Sequence, residues 1–160
     1  MFWIELILLF ALFFFICYSN TGSNKKNIRA FASYPDEVQD LVRKDPRLKS
    51  EIKESSLFKT FISNLILFGI ILFLFGLLIR TPDFLHNFLT LTLLGQGVNA
   101  FDFLVIDLLW WRNSPRIRFN GIPATPEMYK DPSKHAASFL RALVLFLIIA
   151  AVDGFLLTLF

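Results

Sequence analysis

The chain has 160 residues, of which 55% are apolar and only 18% are charged, and phenylalanine alone fills 20 positions. Soluble domains carry about 25% charged residues, and a soluble fold of this length could not hide so much apolar surface, so lipid must cover part of it. The net charge of +3 flanks apolar runs instead of forming a basic stripe, which argues against a nucleic-acid partner, and the single cysteine, Cys17, excludes an intrachain disulfide and a CxxC or Cys/His metal motif.

The first apolar run, 2–18, is about the shortest that crosses a hydrocarbon core of roughly 30 Å. It reads as a retained anchor and not as a cleaved leader. Its early charge is acidic (Glu5), no small-x-small cleavage site follows, and Lys25, Lys26 and Arg29 come after it. In the segment 19–60, Ser33-Tyr34-Pro35-Asp36 is a helix-start signal, and Val38, Leu41 and Val42 form one apolar stripe. This predicts a juxtamembrane amphipathic helix lying on the membrane surface. Asp45-Pro46 is a second start signal. Leu48 and Ile52 continue at helical spacing with no breaker before Ile79, so one helix is expected from Pro46 through the second span, 61–79.

The third span is expected at 84–111, with Trp110 and Trp111 as an interfacial belt at its end. The segment 112–131 holds Pro115, Gly121, Pro123 and Pro126 and is expected to be irregular up to a single helical turn from Pro126. Asp131-Pro132 then starts the fourth span, 132–160. Gly69, Gly76 and the pair Ala150 and Gly154 are placed for close helix contacts. Backbone polar groups in lipid need internal partners, so the spans must be helices. The fold class is therefore an all-α membrane protein: one four-helix bundle domain over 1–160, with four transmembrane helices and a juxtamembrane amphipathic helix.

Charge sets the orientation. The segment 19–60 holds nine Lys and Arg residues and the segment from Arg112 to Arg141 holds six, whereas the short connection between the second and third spans holds only Arg80. The positive-inside rule puts the two basic segments in the cytoplasm and both termini on the extracytoplasmic side of the cell membrane.

Polar residues inside the spans mark the candidate site. Asn99, Asp102 and Asp107 on the third span cannot face lipid cheaply. Arg141 on the fourth span is expected to pair with Asp102 or Asp107, which leaves one carboxylate to be protonated, hydrated or bound to a cation. Glu127 and His135 on the adjoining loop are expected to complete a cytoplasm-facing cavity with Asn99, Asp102 and Asp107. A divalent metal is one candidate occupant, although the spacing matches no metal motif. At the other end, Glu5, Arg80, Asp83, His86 and Asp153 form a smaller polar set, in which Arg80 is a candidate partner for Asp153 or Glu5.

Four local patterns occur in order: Tyr34-Pro-Asp-Glu-Val-Gln39, Ile52-Lys-Glu-Ser-Ser-Leu57, Asn99-Ala-Phe-Asp102 with Ile106-Asp107-Leu-Leu-Trp110, and Ile122-Pro-Ala-Thr-Pro-Glu127. Together they resemble a family of small four-span integral membrane proteins of clostridial and related bacteria. That family's loop reads Ile-Pro-Gly-Thr-Glu; here Ala124 stands for the glycine and Pro126 is inserted before Glu127. The resemblance implies a bacterial membrane protein of the same topology and no particular activity. Function is therefore expected from the residues. The first reading is a binding or accessory protein, for instance a transporter or channel subunit, whose pocket takes a small cation or polar head group. The alternatives are a membrane enzyme acting on a lipid or isoprenoid, and a scaffold without a ligand. The bilayer is the expected partner, with a membrane-protein partner or a second copy as a further expectation.

Overall fold

Four long apolar helices, each able to cross a bilayer, dominate the computed structural model, which describes residues 2–53 and 56–159. In chain order the helices are α1 (Phe2–Ser19), α2 (Asn24–Asn27), α3 (Asp36–Lys44), α4 (Pro46–Lys49), α5 (Leu57–Gly76), α6 (Phe84–Phe101) and α7 (Ser133–Leu157). A 3-10 segment, Ile28–Ser33, joins α2 to α3. Beyond α6 the helix continues as a π-helix, Asp102–Trp110, and the loop that follows holds 3-10 turns at Trp111–Asn113, Pro115–Ile117 and Pro126–Tyr129. No strand occurs among the described residues. The protein is an all-α, multi-pass membrane protein. The spans agree with the sequence reading to within a few residues, and Phe160, the end of the expected fourth span, lies outside the described residues.

The chain divides into two units. One comprises Met1–Leu12, Ser56–Phe101 and Phe139–Phe160; the other comprises Phe13–Ser55 and Asp102–Ser138.

The first unit is a helix bundle joined by amides. Gln96 Nε2 donates to the Leu143 carbonyl at 2.9 Å, Asn99 Nδ2 to the Phe139 carbonyl at 3.3 Å and Asn87 Nδ2 to the Gly154 carbonyl at 3.5 Å. Three amides on α6 thus reach the backbone of α7, the polar adhesion expected where lipid removes the hydrophobic incentive for helices to associate. Small residues bring the helices close. A Cβ added at Gly154 would meet the backbone nitrogen of Phe88 at 3.1 Å, and one at Gly76 would run into Leu157. Gly69, expected to do the same, has nothing within 4 Å. Asp83 caps α6 by accepting the amides of Leu85 and His86. The expected partnership of Arg80 with Asp153 or Glu5 does not form. Arg80 is exposed, both acids are buried, and no ion pair links them among the described residues.

The second unit has a core of its own. Ile28, Phe31, Tyr34, Val38, Val42, Leu48, Trp111, Ile117, Phe119 and Tyr129 pack together. The amphipathic helix is present as α3, but its apolar face lies in this core and not on a membrane surface. Ser33 does not cap it; Gln39 closes the turn by donating to the Tyr34 carbonyl at 2.8 Å. Nor does one helix run from Pro46 into the second span. α4 ends at Lys49, residues 50–53 are not helical, and α5 starts afresh with Ser56 accepting the Lys59 amide. Ile52 packs on the core, which holds the chain off a helical path there. Glu54 and Ser55, part of one of the four local patterns, lie outside the described residues. Asp45 caps α4, and its hydrogen bonds to Arg47 hold its carboxyl down at about 2.

Side chains hold the irregular stretch 116–120. Asn27 Nδ2 donates to the carbonyls of Arg116 and Arg118, Tyr34 Oη donates to that of Ile117 at 2.7 Å, and Asn24 exchanges two bonds with the backbone of Asn120. Tyr129 Oη accepts the Phe119 amide. Burial pushes the Tyr34 phenol well above its ordinary range, so it stays a donor.

The glycine contrast is testable. Gly154→Leu should destabilise the protein in detergent by about 1–3 kcal/mol through overpacking against α6, whereas Gly69→Leu should leave the melting temperature unchanged or raised. Equal effects at the two positions would remove the α6–α7 contact from the account.

Candidate functional site

The site begins where α6 changes its hydrogen bonding. In an α-helix, residues five apart stand about 140° round from each other. A π-helix closes i to i+5 hydrogen bonds, so residues five apart come near each other on one side. Asp102 and Asp107 are five apart, and both lie in the π-helix. They line one cavity of about 270 Å³, together with His135, Lys134, Trp111 and Cys17. Every residue lining it belongs to the second unit.

His135 is the organising group. It lies in the first turn of α7, after Asp131 has capped that helix by accepting the Ser133 amide and hydroxyl. Its Nδ1 lies 2.8 Å from Asp107 Oδ1, and its ring packs edge-on against Trp111 with centroids 4.7 Å apart. The residue is 6% exposed, and its Nε2 is buried without a hydrogen-bond partner. With Nδ1–H directed to the carboxylate, Nε2 of the neutral ring is an acceptor. Asp102, half-buried, enters none of the ion pairs among the described residues. Lys134 is committed elsewhere, with its Nζ 2.6 Å from Asp36 Oδ1.

The six expected site residues therefore separate. Asp102, Asp107 and His135 meet at the cavity. Asn99 belongs to the bundle, where its amide serves α7. Glu127 is exposed on its 3-10 turn, because the same turn sends Tyr129 inward to meet Phe119. Arg141 is exposed and pairs with neither Asp102 nor Asp107; the ion-pair partner of Asp107 is His135. On α7, Arg141 lies six residues beyond His135, about 120° round the helix. Among the described residues no three of His, Cys, Asp and Glu stand close enough to hold a metal ion. Trp111, expected at a membrane interface, is instead buried against Tyr34 and His135. Sequence reasoning missed its part in the cavity, and that of Cys17, because both read as span residues.

Comparison with models of known protein families, with curated proteins and with solved structures finds no match to this chain.

Removing one member of the buried pair should be costly. His135→Leu leaves Asp107 buried and alone, which should destabilise the protein by about 3–5 kcal/mol. The double variant Asp107→Leu/His135→Leu should recover much of that loss. A double variant as unstable as the sum of the two single variants would show that the two groups do not interact.

Proposed function

We propose that this chain is a bacterial cell-membrane protein whose cavity binds a small cation or polar head group, as an accessory, transporter or channel subunit would. The observation that carries the reading is Asp102: a carboxyl group that enters no ion pair among the described residues, in a cavity whose other acid meets His135. An ionisable group within a membrane span is costly and marks a candidate functional site. The positive-inside rule puts the second unit, which holds thirteen of the sixteen Lys and Arg residues, in the cytoplasm. The cavity then faces the cytoplasm and both termini are extracytoplasmic. A partner or a second copy has room on α5, which buries only Leu72 and Gly76.

A second reading, a membrane enzyme acting on a lipid or isoprenoid, is favoured by one contact. Asp107 orients His135 as a carboxylate orients a general base, leaving Nε2 as the acceptor. Turnover of a lipid substrate that is lost in His135→Gln without loss of folding would select it over simple binding.

Thermal shift tests the first reading. At about a hundredfold excess over its Kd, a ligand of the cavity should stabilise the purified protein by about 2.7 kcal/mol. The gain should vanish in Asp102→Asn. If no cation or head-group analogue stabilises the parent protein selectively over this variant, the binding reading fails.

Orientation has its own test. In a Cys17→Ser background, Pro82→Cys should react with an impermeant thiol reagent in intact cells and Ser50→Cys should not. The reverse pattern inverts the topology.

A further inference from the structure

We infer that the occupant of the cavity is an organic ammonium group, carried by a lipid head group or by a free amine. The inference rests on the reading of the cavity as a ligand site and narrows its chemistry. Three observations carry it.

The cavity offers an acid and no uncommitted lysine. Asp107 is matched by His135, the one lysine in the wall lies 2.6 Å from the Asp36 carboxylate, and Asp102 enters no ion pair among the described residues. An anionic ligand would meet Asp102 with no free lysine to offset it. The ligand therefore brings positive charge.

The donor set disfavours a bare metal. A metal ion held by protein needs several ligands at about 2–2.6 Å, and no three His, Cys, Asp or Glu residues among those described are near enough to supply them. Asp102 acts singly, which suits one end of an ammonium–carboxylate bond.

The wall is mixed in a way that suits an organic cation. Phe13 and Trp111 supply aromatic rings, and Ile16 and Ile106 supply apolar surface beside the acids. Carboxylate with aromatic surface is a setting that favours alkylammonium groups, since aromatic faces attract cations that shed part of their water. On the polar side stand Asn20, Thr21, Ser33 and Ser138, able to take the hydroxyl or ester oxygens that such a group carries. The volume of about 270 Å³ equals that of roughly nine waters in the liquid, enough for a head group.

The test uses the full chain. Ethanolammonium is titrated into the protein in detergent and followed by tryptophan fluorescence. In parallel, native mass spectrometry measures retention of phosphatidylethanolamine against phosphatidylglycerol from mixed vesicles. The parent should bind the amine in at least one arm. Asp102→Asn should weaken that binding by roughly tenfold to a hundredfold, and Asp102→Glu should restore part of it. Binding of the free amine without lipid retention identifies a soluble amine as the ligand; preferential retention of phosphatidylethanolamine identifies a head group. If Asp102→Asn does not fold, the parent protein and Asp102→Glu still decide. The inference is overturned if the parent binds neither form, if phosphatidylglycerol is preferred, or if Asp102→Asn binds the amine as well as the parent does. Should sodium or another inorganic cation bind in an Asp102-dependent way while the amine does not, the ammonium assignment falls and the ligand-site reading stands. Should nothing depend on Asp102, both fall.

Discussion

The change from α to π hydrogen bonding at Asp102 is the constraint on which the site depends. A continuous α-helix would turn Asp102 and Asp107 to faces about 140° apart, and they could not share one cavity as they do. Such π turns are rare and are found frequently at functional sites. Here nine residues adopt the form. The gain that offsets it is visible at Asp107, where the carboxylate meets His135 at 2.8 Å. Trp111 follows directly and is drawn into the core of the same unit, against Tyr34 and His135. The helix therefore ends by inserting a large aromatic group into a packed core, and that core holds the last π turn in place.

The core in turn depends on an exchange between two segments far apart in sequence. Beyond the 3-10 turn Pro115–Ile117, closed by the Arg118 amide donating to the Pro115 carbonyl, residues 116–120 belong to no longer helix or strand, so most of their backbone groups look elsewhere for partners. Asn24, Asn27, Tyr34 and Tyr129 supply those partners from outside the stretch. A buried carbonyl left without a donor costs roughly 1–3 kcal/mol, and Tyr34 alone satisfies one that is wholly enclosed. This also accounts for α3. An amphipathic stripe beside a membrane span would suit a lipid surface, but Val38 and Val42 are fully buried in protein. Packing against Tyr34, Ile117 and Tyr129 gives α3 a fixed position that lipid contact would not.

What the sequence disclosed follows from which rules are local. The four spans were legible because a bilayer imposes length and apolarity on each helix separately, with no need for tertiary information. Asp102, Asp107 and His135 were legible because their cost outside a protected site is high wherever they occur. The pairing of Asp107 with His135 was not, and nothing in Asp102–Trp110 announces the π form. Arg141 was misjudged on charge arithmetic alone: it was the cation expected inside a span, but it is exposed, and His135 is the partner of Asp107 instead. Glu127 was drawn in by its place in the loop, before it was known that Tyr129 occupies the inward side of that turn. The continuous helix through 50–53 failed for a related reason, since Ile52 has the right spacing for a helix but is packed on a core that spacing does not reveal.

Two kinds of polar group do different work along one helix. The amides of Asn87, Gln96 and Asn99 meet carbonyls of α7 and stay neutral. An amide donor to a backbone carbonyl contributes only modestly between membrane helices, since the separated helices also find partners, so these contacts align α6 and α7 without locking them. The ionisable groups beyond Phe101 are of another kind. Asp107 and His135 carry a mutual dependence, because the loss of either leaves the other buried without the partner it meets at 2.8 Å. Had adhesion been the only requirement, a fourth amide would have served at less cost. A carboxylate and an imidazole meet there instead, with a second carboxylate in the same cavity that enters no ion pair among the described residues, so the polar chemistry beyond Phe101 differs in kind from the amide contacts between α6 and α7.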